Sequence, residues 1–111
     1  MLKNYDKSLP ITIDPNDVYK LLCKIPNGKV TTYGDIAKNL GNKKLARIVG
    51  KILHKNPNPI IVPCHKVVLS NGKIGGYAFG LKKKKNLLKK EGITILENGT
   101  IENFHKIRLE Y

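Results

Sequence analysis

The sequence predicts a mainly α domain with a small β hairpin, arranged as a winged helix-turn-helix. In the first half of the chain, apolar residues with helical spacing follow capping residues, and a Gly-Asn turn separates two of these predicted helices. Residues 60–74 are rich in β-branched side chains and contain a Ser-Asn-Gly turn. With 111 residues and 41% apolar composition, the chain matches one domain with a modest core. We expect a single domain over residues 1–111, with extensions at 1–13 and 93–111.

The first predicted helix begins near Asp14. Asp14 supplies an N-cap, and Pro15 suits the first turn because its fixed φ is helical. The apolar residues that recur on one face are Val18, Leu21, Leu22 and Ile25. Cys23 lies at the flank of this inward face, so we expect it to be structural rather than reactive.

The next two helices predict a helix-turn-helix motif. Thr32 opens, with a capping-box-like pattern, a helix through Leu40, which Gly41 ends as a left-handed C-cap. Asn42 then caps a third helix that runs to about Lys55. Two short helices around such a turn are typical of DNA-binding motifs, although any helical pair can share the feature.

The third helix carries small residues where such motifs approach DNA. Ala46 and Gly50 lie one turn apart beside Arg47. Small side chains permit close approach to a duplex, and Arg47 can contact phosphate.

The second half of the chain alternates extended and turn segments. Prolines stiffen residues 56–59, and residues 60–69 followed by the turn at 70–72 predict a small hairpin or wing. Residues 81–91 predict a last helix, whose start at 82–85 is basic and expected to be exposed. A Glu-Asn-Gly turn predicts a second short hairpin within the tail.

The charge balance favours a polyanionic partner. Lys and Arg total 21 against 8 Asp and Glu, for a formal net charge of +13. Nucleic acid is the default interpretation, and a surplus that serves only solubility or thermal stability is the alternative. No apolar run approaches the about 20 residues that cross a bilayer, and the N-terminus does not resemble a secretory signal. We expect no membrane partner and a cytoplasmic location, in a prokaryotic cytosol or, in a eukaryote, the nucleus.

Cys64 and His65 form the chemically suggestive pair of the chain. A thiol becomes a useful nucleophile when its thiolate is stabilised, and His65 is the nearest base. In an extended segment adjacent side chains point in opposite directions, so a bridging water is favoured over direct contact. Glu91 is the best carboxylate to orient the imidazole. Taken alone, the pair favours the structural interpretation, in which Cys64 is a buried small residue and His65 a surface side chain. No Cys/His grouping has metal-ligand spacing, so we expect neither metal nor cofactor.

Six segments share their residues, order and spacing with one known family. They are Gly-Lys-Val-Thr-Thr-Tyr at 28–33, Ala-Arg-Ile-Val-Gly at 46–50, Asn-Pro-Asn-Pro-Ile at 56–60, Ile-Val-Pro-Cys-His-Lys-Val at 61–67, Gly-Gly-Tyr at 75–77 and Glu-Gly at 91–92. From Val18 to Gly92, about two thirds of the chain, the sequence resembles the C-terminal, DNA-binding and catalytic domain of the O6-alkylguanine-DNA alkyltransferases.

The resemblance implies a single-turnover repair of duplex DNA by a monomer that binds the minor groove. The alkylated guanine is flipped out, and the matching cysteine takes the alkyl group from O6. Residues implied in the reaction are Cys64, His65, Glu91, Asn56 and Tyr33. Residues implied in DNA binding are Tyr33, Gly34, Asn42, Ala46, Arg47, Gly50 and Ser70. Residues implied around the flipped base are Leu53, Pro59, Cys64, Val67, Tyr77 and Ala78.

Three departures from the family pattern stand out. Lys66 replaces the usual Arg, which keeps the charge and loses the planar fork, so we expect a weaker local contact. Ala78 replaces a frequent serine, so only its backbone can contact the base. The family's usual N-terminal domain is absent, which predicts a minimal single-domain form.

Rival functions remain at this stage. An alkyltransferase-like protein binds the lesion and flags it without repair, and such proteins lack the cysteine that is present here as Cys64. A winged-helix transcription factor would show no lesion preference, and a Cys-His hydrolase would turn over repeatedly.

Overall fold

Short helices are the main secondary structure of the computed structural model, which describes residues 13–55 and 62–110. In chain order the elements are α1 (Pro15–Cys23), β1 (Thr31–Thr32), α2 (Tyr33–Asn39), a 3-10 helix (Lys43–Leu45), α3 (Ala46–His54), a second 3-10 helix (Cys64–Lys66), β2 (Val67–Val68), α4 (Leu81–Lys90) and α5 (Phe104–Ile107). The prediction of a mainly α fold with a small β component is confirmed. None of the helices in the described ranges is both long and apolar enough to cross a membrane.

The first helix begins as predicted and places its cysteine differently. The Asp14 carboxylate accepts a hydrogen bond from the Asn16 backbone N–H at 2.9 Å. Val18 and Leu22 are fully buried. Cys23 is exposed, so the prediction that it packs at the flank of the inward face is wrong. Each helical residue turns about 100° from the one before, which carries Cys23 away from the buried face at Leu22.

Side-chain caps define the helix-turn-helix motif. The Thr32 hydroxyl accepts a hydrogen bond from the Asp35 N–H at 3.0 Å, and Asn42 accepts one from the Lys44 N–H at 2.9 Å. Between them Gly41 has a φ of 111°, a left-handed conformation that costs glycine little. The predicted third helix starts as the 3-10 helix 43–45 and continues as α3.

Two short strands join the halves of the protein. Strand β1 pairs in parallel with β2, with Thr31 opposite Val67 and Thr32 opposite Val68. All four residues are buried, so each strand satisfies its partner's backbone groups within the core. Because β1 leads directly into Tyr33 and β2 follows the second 3-10 helix, the pair brings the helix-turn-helix beside Cys64.

The hairpin predicted within residues 60–74 does not form among the described residues of that segment. One hydrogen bond closes the turn after β2, from the Leu69 N–H to the Lys73 carbonyl at 2.9 Å. Lys73 then forms an antiparallel bridge with Thr100 of the tail. The prediction was wrong because β2 and the segment after the turn both have partners that are distant in sequence.

The tail folds back over the protein. Its chain reverses at the predicted Glu-Asn-Gly turn, where Ile95 and Ile101 form an antiparallel bridge. Ile101 and Phe104 are buried. Helix α5 and a parallel bridge between Val30 and Arg108, neither of which the sequence predicted, attach the tail beside β1.

The core has two parts. The first lies among α1, α2 and α3 and also contains Cys64 and Val67. The second lies beneath α4 and the tail, and its buried members are Val30, Val68, Ile74, Leu88, Ile93, Ile101 and Phe104. The strand pair lies between them, since Val67 belongs to one and Val68 to the other.

Candidate active site and DNA-facing surface

Cys64 begins the 3-10 helix that precedes β2. Its side chain is buried, with 6% of the residue exposed. The backbone N–H of Cys64 donates to the Val62 carbonyl at 2.8 Å, which closes a tight turn. The expectation of an extended Cys64–His65 segment is therefore wrong: in a 3-10 helix successive side chains are rotated by about 120° rather than opposed.

His65 and Glu91 form a buried pair behind Cys64. The Nε2 atom of His65 lies 2.8 Å from Oε2 of Glu91. Two further groups hold this carboxylate, since its Oε1 accepts from the Gly28 N–H at 3.0 Å and lies 3.0 Å from Nζ of Lys66. The sequence prediction that Glu91 orients His65 agrees with this geometry.

The electrostatics of the pair favour a neutral imidazole beside a carboxylate. Burial lowers the pKa of His65 below its usual value and outweighs the opposing hydrogen bond and charge of Glu91. Burial alone would raise the pKa of Glu91, but hydrogen bonds from His65, Gly28 and Lys66 lower it. A neutral His65 that donates from Nε2 presents an unprotonated Nδ1, and this buried atom has no hydrogen-bond partner among the described residues.

Lys66 contacts more groups than the sequence suggested. Its ammonium donates to the Ile25 carbonyl at 3.1 Å and the Pro26 carbonyl at 3.0 Å, besides its contact with Glu91. Three donors therefore meet three acceptors. The replacement of Arg by Lys thus leaves an ammonium with a full set of acceptors, and the weaker contact stays a prediction.

An open cavity of about 360 Å³ ends at Cys64. Its lining residues are Tyr33, Gly50, Leu53, His54, Cys64, Gly76, Tyr77 and Ala78. Six of these were expected as site residues from the sequence, and four of the six, Leu53, Cys64, Tyr77 and Ala78, were expected around the flipped base. His54 and Gly76 were missed. Val67, also expected there, is fully buried behind the wall. Asn56 and Pro59 lie outside the described residues.

Two tyrosines border the thiol within this cavity. Burial raises the pKa of Tyr33 above its usual value, and the electrostatic interaction with Cys64 raises it further. Burial, together with the charge and a hydrogen bond of Cys64, raises the pKa of Tyr77 to about 12. Both phenols therefore keep their protons at neutral pH and can donate hydrogen bonds.

A second cavity of about 440 Å³ adjoins the first through Tyr33. It is lined by Tyr33, Gly34, Lys43, Ala46, Leu69, Ser70 and Asn71. Four of the residues predicted to bind DNA thus meet in one groove. Asn42 instead caps the adjacent 3-10 helix through Lys44, and Arg47 is exposed on α3. Gly50 lies under the Tyr33 ring, where an added Cβ would be 3.8 Å from two ring carbons.

Lys84 was predicted to be exposed and is fully buried. Its ammonium donates to the Val67 carbonyl at 2.7 Å and the Gly76 carbonyl at 2.9 Å, which links α4 to β2 and to Gly76 in the cavity wall. Burial lowers the pKa of Lys84 to about 8, although the charge of Cys64 opposes this shift. The one signal in the sequence was its spacing of four residues from Leu88, which is also buried.

Comparison with known proteins identifies the family. Residues 15–93 match the model of the 6-O-methylguanine DNA methyltransferase, DNA binding domain. The chain belongs to this family. The described part of that match includes the cavity, the cysteine and the helix-turn-helix. No group of three or more His, Cys, Asp or Glu side chains within the described ranges could hold a metal ion.

Relatives within the family include enzymes and DNA complexes. The methylated-DNA–protein-cysteine methyltransferase of Methanosarcina acetivorans is 50% identical over 93 residues, which are 82% of this chain and 60% of that protein. A crystal structure of Mycobacterium tuberculosis OGT with DNA has 42% identity and a TM-score of 0.69, covering 76% of this chain and 51% of that one. S. pombe Atl1, solved with DNA containing O6-carboxymethylguanine, has 33% identity and a TM-score of 0.73, covering 91% of this chain and all of Atl1. The chain thus spans about 60% of the length of the curated relative.

Proposed function

We propose that this protein repairs duplex DNA by transferring an alkyl group from O6 of guanine to the Cys64 sulfur, once per molecule. The observation that carries the proposal is the position of Cys64. Its buried thiol closes an open cavity, and a His65–Glu91 pair lies behind it. Names of relatives at about 50% identity support the same reaction.

In the proposed reaction the thiol first loses its proton to Nδ1 of His65, directly or through a water. Glu91 stabilises the resulting imidazolium, because its carboxylate accepts from Nε2 at 2.8 Å. The sulfur attacks the alkyl carbon, the S–C bond forms as the C–O6 bond breaks, and the electron pair stays on guanine. The proton returns to the guanine ring, so the products are an S-alkyl cysteine and ordinary guanine. The product is a thioether, which water does not hydrolyse under mild conditions, so each molecule is limited to one transfer.

Access to O6 requires the guanine to leave the duplex, because a stacked base hides the alkyl carbon. We assign the cavity to the flipped base, with Leu53, Tyr77 and Ala78 on its walls. A backbone contact of Val67 with the base is added by resemblance alone. Tyr33 is assigned to the neighbouring phosphate and to a hydrogen bond with the departing guanine. Pro59 and Asn56 are added to the site by resemblance alone.

The duplex is assigned to the second cavity and the exposed face of α3. Tyr33, Gly34, Ala46 and Ser70 line that groove, and the small residues Ala46 and Gly50 allow a minor-groove approach. Arg47, exposed at the start of α3, is assigned to the gap that the flipped base leaves. The net charge of +13 supports binding that depends little on sequence.

A second candidate is lesion binding without transfer. S. pombe Atl1 favours it, because all of that chain matches this one and its structure contains damaged DNA. The presence of Cys64 at the end of the cavity favours transfer.

Intact-protein mass measurement separates the two. The protein is incubated with a duplex that contains O6-methylguanine, beside the variants Cys64→Ala and Cys23→Ala. Cys23 is a matched control, because it is the exposed cysteine of the chain. We expect a gain of one methylene unit in the wild type and in Cys23→Ala, and none in Cys64→Ala. Preferential lesion binding without any gain in mass would establish the second candidate.

A further inference from the structure

The segment 107–109 of the tail pairs with Val30, directly before β1, through a parallel bridge between Val30 and Arg108. The Val30 N–H donates to the Ile107 carbonyl at 3.0 Å, and the Leu109 N–H donates to the Val30 carbonyl at 2.7 Å. The Thr31 hydroxyl donates to the Leu109 carbonyl at 2.9 Å. Strand β1 is therefore held by the tail on one side and by β2 on the other.

One ion pair extends this attachment to helix α2. Arg108 donates from Nε to one carboxylate oxygen of Asp35 and from Nη2 to the other, both at 2.9 Å. Only 7% of the Asp35 side chain is exposed, against 21% for Arg108. A bidentate pair fixes orientation as well as distance, because two parallel hydrogen bonds define a plane. The guanidinium also lies 5.5 Å from the centre of the Phe104 ring.

Both attachments lie close in sequence to Tyr33, which lines both cavities. β1 leads directly into Tyr33, and Asp35 lies two residues further, in the first turn of α2. Tyr33 lines the cavity at Cys64 and the groove beside α3. The family match ends at residue 93, so the whole segment that makes these contacts lies beyond it.

We propose that Arg108 is a positioning residue for duplex recognition: through Asp35 it fixes the amino end of α2, and with it Tyr33, in the orientation that meets the DNA backbone. This inference rests on the proposed function. Without the guanidinium, the buried Asp35 carboxylate loses its charged partner and has to turn toward solvent. That movement shifts the first turn of α2, while the Cys64–His65–Glu91 arrangement is held by separate contacts.

The test compares two substrates in the full chain. One is a duplex with O6-methylguanine, and the other is the free base O6-benzylguanine, which has a reactive alkyl carbon and no phosphate. Variants are Arg108→Ala, Arg108→Lys, Asp35→Asn and the double variant Asp35→Asn/Arg108→Ala. Lys106→Ala is the matched control, because it removes a positive charge from the same short tail helix, where the side chain is exposed.

For Arg108→Ala we expect the rate on the duplex to fall by about 10- to 100-fold, since small misplacements of binding groups have effects of this size. The free-base rate should fall far less. Arg108→Lys should recover part of the duplex rate, because it keeps the charge without the fork. The double variant should react with the duplex almost as fast as Asp35→Asn alone, since both substitutions remove the same contact.

Equal losses of rate on both substrates would overturn the inference, because Arg108 would then only stabilise the fold. An unchanged rate on the duplex would also overturn it, because the tail contact would then be dispensable. If Arg108→Ala does not fold, Arg108→Lys and Asp35→Asn give the same comparison of substrates. Failure of the proposed function has a different signature, because the wild type would then modify neither substrate. In that case the dissociation constants of the lesion duplex, wild type against Arg108→Lys, decide the role of Arg108.

Discussion

The two sides of Cys64 differ in how far their geometry is fixed before DNA arrives. On the buried side, Glu91 contacts His65, Lys66 and Gly28 at 2.8 to 3.0 Å. On the open side, the basic side chains of α3 such as Arg47 are exposed. The groups assigned to the thiol are thus preorganised, whereas exposed basic side chains such as Arg47 can adjust to a bound duplex.

This difference suits the single transfer proposed for this protein. Charged groups in a buried network cannot reorganise cheaply, so they are in place at the moment of reaction. Long basic side chains on the surface keep their rotamer freedom and adapt to a backbone of any sequence. Substitutions on the buried side should therefore alter the rate of transfer, and those on the open side should alter binding and its dependence on salt.

The largest effect is expected for Glu91→Gln. The amide keeps the shape but cannot stabilise an imidazolium or neutralise the buried Lys66 ammonium. We expect the transfer rate at saturating duplex to fall by about 100-fold, with the dissociation constant nearly unchanged. Single-turnover kinetics measures both, and Glu97→Gln in the exposed turn of the tail is the control. An unchanged rate would contradict the assigned role of Glu91.

The pH dependence sharpens this prediction. Transfer requires neutral His65, whose pKa lies below its usual 6.5, so the wild-type rate should fall only as the pH drops below that value. Because Glu91 raises the pKa of His65, Glu91→Gln should move this acid limb to lower pH. Folded Glu91 has a lowered pKa, so its stabilisation is present above pH 4.5 and is lost as the pH falls through the folded value. That loss should be absent from the urea unfolding of Glu91→Gln.

On the open side, Arg47→Ala should weaken transfer at limiting duplex by about tenfold, the scale of one lost charged contact. The slope of log K against log salt should become shallower by about one. Fluorescence anisotropy over a salt series measures this change. Lys51→Ala, on the same helix but beside the cleft with α1, is the control. Equal effects of the two substitutions would indicate that α3 contributes only general charge.

The smallest effect on transfer is expected for Lys84→Met. This variant tests whether the buried polar contacts beneath the cavity include those that Lys84 makes from α4. Loss of the donor leaves the carbonyls of Val67 and Gly76 unbonded, which should lower the free energy of unfolding by about 1–3 kcal/mol at pH 7. Folded Lys84 has a pKa of about 8 against 10.5 for its usual value, so the unfolded chain binds more protons between these values. Wild-type stability should gain a contribution as the pH rises through this window, and Lys84→Met should lack it.

Urea unfolding at pH 7 and at pH 9.5 measures this difference. Lys82→Met is the control, because Lys82 is exposed in the same turn of α4. Identical pH responses of the two variants would show that Lys84 does not titrate as proposed.

Much of the site was predictable because it depends on residues close in sequence or on a motif. Thr32 and Asn42 cap their helices through neighbouring backbone groups, which a local pattern reveals. Cys64 and Glu91, the carboxylate partner of His65, were found by their chemistry and by resemblance. The contacts of Asp35 and Lys84 were missed, since their partners are far away along the chain and share no pattern with them.

By itself, then, the sequence determined helices α1 to α4, the caps at Asp14, Thr32 and Asn42, and the helix-turn-helix, because these follow from side-chain periodicity and local hydrogen bonds. It also indicated Cys64 as the candidate nucleophile, through its chemistry and its family resemblance. Only the tertiary structure decided that β1 pairs in parallel with β2, that Arg108 meets Asp35 and that Lys84 lies inside. The physical reason is common to all three. A buried strand or charge is stable only where a distant segment supplies its partner, and the choice among such partners is made by packing of the whole chain.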